Sequence, residues 1–177
     1  MRFPKALLKI GEETFVECIL RKAKAAGLTS ITVITGADHE KITQVLPEIP
    51  CIQNENYMQG QISSLQKGIS KLSEAVTEVM VWPVDQPLIR SETVSALIEC
   101  RDQERKALTI PVYQHRKGHP VIYNKDAMEA AVRLQAHQTG KDLQSLFAMN
   151  ISLVEVEDPG VVIDIDTPED YNRYIKS

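Results

Sequence analysis

Val79-Met80-Val81-Trp82-Pro83-Val84-Asp85-Gln86-Pro87 decides the fold class: an apolar run of strand length stops at a carboxylate, and prolines bracket the stop. An ionised carboxylate is costly in an apolar interior, and Pro83 and Pro87 interrupt regular backbone pairing on either side of it. Residues 78–84 therefore read as a buried strand that presents Asp85 at its end. In an open α/β sheet the crevice beyond the carboxyl ends of the strands is where ligands bind, so Asp85 is placed to meet a metal ion or a polar substrate. A turn or capping acid ahead of the next helix is the plainer reading of the same residue.

On either side of this strand, apolar residues recur at helical spacing over 62–72 and 92–105. Further out, Phe15, Val16, Ile19, Leu20, Ala23 and Ala26 share one helical face that ends at Gly27. Residues 30–35 alternate and are rich in β-branched side chains, 38–46 read as a helix closed by Pro47, and 50–53 as a strand. Strands at 107–112 and 120–123, helices at 125–134 and 142–147, strands at 151–155 and 161–164, and a helix from Pro168 complete the order. This alternation predicts an α/β fold: a three-layer αβα, Rossmann-like arrangement with a mostly parallel sheet covered on both faces. No repeat or linker interrupts it, so one domain is expected over 1–177.

Composition narrows the function. The net charge of −4, with no dense Lys/Arg stripe, gives no electrostatic footprint for a nucleic-acid partner. No apolar run approaches the ~20 residues of a membrane span. Cys18, Cys51 and Cys100 are odd in number and form no CxxC pair. They read as buried, reduced thiols, and together with the lack of an apolar leader they point to the cytoplasm. At the start, Arg2 and Lys5 flank Pro4; two cations at this spacing suit a phosphate chain, and a basic, solvated terminus explains them equally.

Five segments, Arg2-Phe3-Pro4-Lys5-Ala6-Leu7-Leu8, Gly60-Gln61-Ile62-Ser63-Ser64-Leu65-Gln66-Lys67-Gly68, Pro83-Val84-Asp85-Gln86-Pro87, Gly118-His119-Pro120-Val121 and Asp164-Ile165-Asp166-Thr167-Pro168-Glu169-Asp170, together resemble the MobA-like nucleotidyltransferases. Within them the chain looks most like the molybdenum cofactor cytidylyltransferase branch. The resemblance implies the nucleotide-diphospho-sugar transferase type of αβα fold. That family opens with a strand and a loop of the type LAAGxSxRMGxPK. On this resemblance the chain starts at the Met of that loop, Arg2 stands where a glycine is usual, and Lys5 matches the family's lysine. The expectation is a chain truncated at its N-terminus relative to the family, without the first strand and Gly-rich loop, leaving unpaired strand edges to be covered.

The resemblance further implies an enzyme that uses Mg²⁺ to transfer CMP, or second to it GMP, from a nucleoside triphosphate to a phosphorylated acceptor such as molybdopterin or molybdenum cofactor. The acceptor phosphate attacks the α-phosphorus and pyrophosphate leaves. Lys5 and Asp85 would be catalytic, with Lys5 neutralising charge that grows on the phosphates. Arg2, Lys5, Gln61, Ser63 and Ser64 would bind the nucleotide, and Gly118 and His119 would lie on the acceptor side. Asp85, Asp164 and Asp166 are the metal candidates, since Mg²⁺ takes one or two carboxylates together with phosphates and waters.

Other readings remain open at these positions. Ser63 and Ser64 suit a helix cap, and His119 beside Pro120 suits an ordinary loop. Alternation along 162–166 puts Asp164 and Asp166 on one strand face, but Asp166 or Thr167 could instead cap the helix at Pro168, which favours Asp164 as the ligand. His39, His137 and Trp82 are assigned no chemistry. A sugar- or polyol-phosphate acceptor is the neighbouring function within the fold. A different class is a non-catalytic nucleotide- or cofactor-binding protein that delivers molybdenum cofactor to a partner molybdoenzyme, motivated by the missing loop.

Overall fold

Strand periodicity explains how residues 79–82 come to be half-buried from both sides. In the computed structural model, which describes residues 4–176, β5 (Glu78–Val81) turns successive side chains to opposite sides. Val79 and Val81 pack into a cluster with α3 (Gln61–Ile69) and α5 (Lys125–Arg133), while Met80 and Trp82 join Ile89, Val94 and Ile98 around α4 (Ser91–Glu104). Helices thus cover both faces of β5, which is why its sequence is apolar throughout rather than alternating.

β5 pairs antiparallel with β8 (Val121–Asn124), β8 pairs antiparallel with β6 (Leu108–Tyr113), and β6 runs parallel to β9 (Ile151–Glu155). The two-residue β7 (Arg116–Lys117) folds back on the end of β6. β5, β6 and β9 therefore share one direction, with β8 reversed between β5 and β6. A second sheet is the parallel pair β3 (Val33–Thr35) and β4 (Cys51–Gln53), connected through α2 (His39–Val45). No ladder joins the two sheets among the described residues; α3 contacts both β3 and α5 and so bridges them.

Ahead of β3 lie a 3-10 turn, Lys5–Leu7, a small hairpin of β1 (Lys9–Ile10) and β2 (Glu13–Thr14), and α1 (Phe15–Ala25). Thr14 and Glu17 form a capping box that starts α1, whose buried face carries the Phe15, Val16, Ile19, Leu20 and Ala23 expected from the sequence. α6 (Gly140–Leu146) and α7 (Pro168–Tyr174) complete the fold. No helix among the described residues is long and apolar enough to cross a membrane. The three cysteines are unpaired; Cys18 is buried, and Cys51 and Cys100 are half-buried.

One expected strand is absent. Residues 161–164 belong instead to a 3-10 turn, Pro159–Val162, followed by extended chain. Asp158, 3% exposed, supplies the reason: its carboxylate accepts from the Gly160 N–H at 3.0 Å, the Arg90 N–H at 2.8 Å and the Thr93 hydroxyl at 2.7 Å. A turn capped in this way needs no ladder partner. The apolar run there reports burial of Val161 against Ile89 and Val94, not strand pairing.

Candidate active site

Close backbone approach builds the site. Beyond the end of β5, residues 85–90 lie against 158–165, and Gly118 and His119 lie against Val161. A Cβ on Gly118 would overlap the Val161 carbonyl, and one on Gly160 would sit 2.8 Å from the Ile89 nitrogen and the Leu88 carbonyl carbon. Only glycine allows either approach. The Ile165 N–H then donates to the Asp85 carbonyl at 2.8 Å, and the His119 N–H donates to the Val161 carbonyl at 3.0 Å. These bonds draw Asp85, His119 and Asp164 to Asp166 together from three distant parts of the chain.

Lys5 is the cation among these acids. Its ammonium hydrogen-bonds Asp166 and lies 3.5 Å from Asp85 Oδ2. Asp164 Oδ1 accepts from the Gln86 amide at 2.6 Å. Burial raises the pKa of Asp85; the Lys5 charge opposes that rise, while Asp164 and Asp166 add to it. Burial also works to lower the Lys5 pKa, yet its contacts with Asp166 and Asp85 carry it above the ordinary lysine value. The two directions pull apart across one ion pair. The raised direction for Asp85 stands, because two carboxylates share the one ammonium with Asp164 close by, and the site is left short of positive charge. Burial lowers the pKa of His119 although Asp164 and Asp85 pull it upward, so its imidazole is neutral at pH 7.

Capping does not explain these acids. α4 starts after Arg90 without a side-chain cap, and the carboxylate that meets its start, through the Arg90 N–H and the Thr93 hydroxyl, is Asp158, not Asp85. α7 is capped by Thr167, which forms a capping box with Asp170, and the Asp166 side chain turns to Lys5. Asp166 rather than Asp164 shares the ammonium with Asp85; the preference for Asp164 rested on Asp166 serving as a helix cap, a role that Thr167 and Asp170 fill instead. Among the described residues no three His, Cys, Asp or Glu side chains converge into a ready-made metal cage. Mg²⁺ does not need one, since it commonly keeps its waters and binds one or two carboxylates plus substrate phosphates. Two acids that already share one cation fit such a substrate-completed site.

The other expected residues lie by the end of the β3–β4 sheet. Asn54, 2% exposed, donates from its amide to Ser63 Oγ at 2.9 Å and Ser64 Oγ at 3.0 Å, and accepts from the Asn56 N–H. Its own N–H bonds the Thr35 carbonyl at 2.8 Å. Ser63 and Ser64 are therefore tied to the strand ends rather than used as caps; the N-cap of α3 is Gly60, which offers no side-chain cap. Gln61 opens α3 and is exposed. Arg2 lies outside the described residues. Asn54, Gln86 and Asp158 were missed from the sequence. Asn54 had a signal, because it follows the strand 51–53 as Asp85 follows its own.

Residues 1–154 match the family model of the MobA-like NTP transferase domain. The chain belongs to that family of nucleotidyltransferases. This MobA-like chain is 29% identical over 110 residues to the bifunctional protein GlmU of Synechococcus sp. (strain JA-3-3Ab), covering 62% of the chain but only 18% of that relative's length. It is 23% identical over 123 residues to the molybdenum cofactor cytidylyltransferase of Escherichia coli (strain K12), covering 70% of the chain and 60% of the relative. Among solved structures, Rv0371c of Mycobacterium tuberculosis H37Rv in complex with manganese superposes with a TM-score of 0.83 at 20% identity, over 99% of this chain and 94% of that one. At that identity the likeness establishes the fold alone.

Proposed function

We propose that this MobA-like domain transfers a nucleotidyl group, CMP first and GMP second, from a nucleoside triphosphate to a phosphorylated acceptor of the molybdopterin kind, with release of pyrophosphate. The observation that carries the reading is the gathering of Asp85 and Asp166 about the Lys5 ammonium, with Asp164 beside them, at the end of β5. A strand-end cluster of net negative charge with one fixed lysine suits a polyphosphate that arrives with a divalent cation.

Asp85, with Asp164 or Asp166, would hold the Mg²⁺, which when bound supplies positive charge against the polyphosphate. Lys5, kept charged by its acidic neighbours, donates to phosphate oxygens as charge grows on the α-phosphate and the departing pyrophosphate. Ser63 and Ser64, oriented by Asn54, offer hydroxyls on the nucleotide side together with Gln61. The Gly118–His119 loop presents a neutral imidazole on the acceptor side, where it can accept a proton or donate a hydrogen bond. No nucleophilic side chain is required, because the acceptor phosphate is itself the nucleophile. The cytidylyltransferase relative and the manganese complex of the structural neighbour support this choice of donor and ion.

The test is pyrophosphate release from CTP and GTP with Mg²⁺, across molybdopterin-type and sugar- or polyol-phosphate acceptors. Turnover that prefers CTP and a pterin phosphate, and that stops when EDTA removes the metal, is the expected result. No turnover of any nucleoside triphosphate with any phosphorylated acceptor would sink the reading.

A further inference from the structure

Gln86 follows the Asp85 carboxylate, is only 4% exposed, and spends its amide unevenly. Its Nε2 donates to Asp164 Oδ1 at 2.6 Å, while its Oε1 is buried without a hydrogen-bond partner. A buried amide with one end unpaired is a poor choice for stability alone, and an apolar side chain of the same length would fill the space without orphaning an acceptor. The backbone around it is held firmly: the Gln86 N–H donates to the Pro83 carbonyl, its carbonyl accepts from the Trp82 indole at 2.9 Å, and the next carbonyl, of Pro87, accepts from Lys22 at 2.7 Å. The amide cannot turn over without setting its oxygen against the Asp164 carboxylate. Asp164 thus has one oxygen committed to Gln86, and its Oδ2 has no hydrogen-bond partner among the described residues.

We propose that Gln86 is a positioning residue for nucleotidyl transfer, acting through Asp164: it fixes the Asp164 carboxylate beside Asp85 so that the second oxygen is held ready for the divalent cation. This rests on the reading that the Asp85 cluster binds such a cation. Loop 83–87 then contributes twice, once through the carboxylate of Asp85 and once through the amide that aims a second acid from 78 positions further along the chain.

The experiment is a Mn²⁺ titration in the presence of CTP, following the paramagnetic resonance of the free ion, on the full chain. Removing a hydrogen-bond partner of a metal-ligating side chain typically weakens metal affinity 10- to 100-fold. Gln86→Met is expected to raise the Mn²⁺ dissociation constant about tenfold, with the thermal midpoint held and kcat recovered at saturating metal. Gln86→Asn, polar but too short to reach, should show the same loss, which keeps the test open if the methionine variant misfolds. In an Asp164→Ala background neither change should have a further effect. Wild-type affinity in Gln86→Met or Gln86→Asn, or an equal loss with Asp164 absent, overturns the assignment. If Asp85→Ala binds Mn²⁺ as wild type does, the metal reading itself falls and this inference falls with it. Loss of binding in Asp85→Ala with unaltered Gln86 variants removes the Gln86 role alone.

Discussion

On the proposed function, Asp85 joins catalysis to instability at a single side chain. Its pKa is raised chiefly by burial, so at neutral pH the ionised carboxylate is held in a place that disfavours it. Asp85→Asn should lower turnover about 100- to 1000-fold, the usual cost of losing one electrostatic stabiliser. Its thermal midpoint should equal or exceed that of wild type, and a clear drop in thermal scans would contradict this account. Asn54 has the opposite profile, since its amide satisfies two hydroxyls from 2% exposure. Asn54→Ala should destabilise by about 1–3 kcal/mol in denaturant unfolding, through polar groups left unpaired, and should raise the KM for nucleotide more than it lowers kcat. His119 has a folded-state pKa below its ordinary 6.5, so the unfolded chain binds the proton more readily. The stability it contributes is complete above that value and is lost as pH falls through the folded pKa. The drop in thermal midpoint between pH 7.5 and 5.5 should therefore be smaller in His119→Gln than in wild type.

At the scale of elements, the 3-10 turn Pro159–Val162 decides whether the acids meet. It is clamped by Asp158 to the start of α4 and by Gly160 to the Leu88–Ile89 backbone. A Cβ at Gly160 would force these segments apart, and overpacking of this kind costs about 1–3 kcal/mol. Gly160→Ala should show that loss in chemical denaturation, accompanied by weaker Mn²⁺ binding because Asp164 and Asp166 move with the turn. The misreading of 161–164 as a strand has the same origin. Val161, Val162 and Ile163 have the composition of a buried strand, but the hydrogen bonds that cancel the need for a ladder come from a carboxylate at 158 and a helix start at 90–93. Helices fared better, because their caps are local: the Thr14–Glu17, Thr139–Asp142 and Thr167–Asp170 boxes can be read from neighbouring residues.

Across the whole molecule, the two sheets differ in support. β6 pairs with β7, β8 and β9, whereas β3 and β4 pair only with each other over three residues among the described part of the chain. Amides of β3 and β4 should therefore exchange with solvent at a lower opening free energy than those of β6, and hydrogen–deuterium exchange that finds them equally protected would refute this. Substrate that spans the Asn54 and Asp85 strand ends should narrow the difference. The sequence alone determined the positions of the main helices, the apolar strand stopping near Asp85 and the family to which the chain belongs, because periodicity and short motifs are local properties of the chain. Only the tertiary structure decided which acids share Lys5, that Asp158 and not Asp85 bonds the start of α4, and that Gln86 and Asn54 bond the side chains around them. Apart from the Asn54 bonds, which span 9 and 10 residues, those outcomes depend on hydrogen bonds between segments at least 65 residues apart, and on two glycines whose missing side chains let the backbones touch.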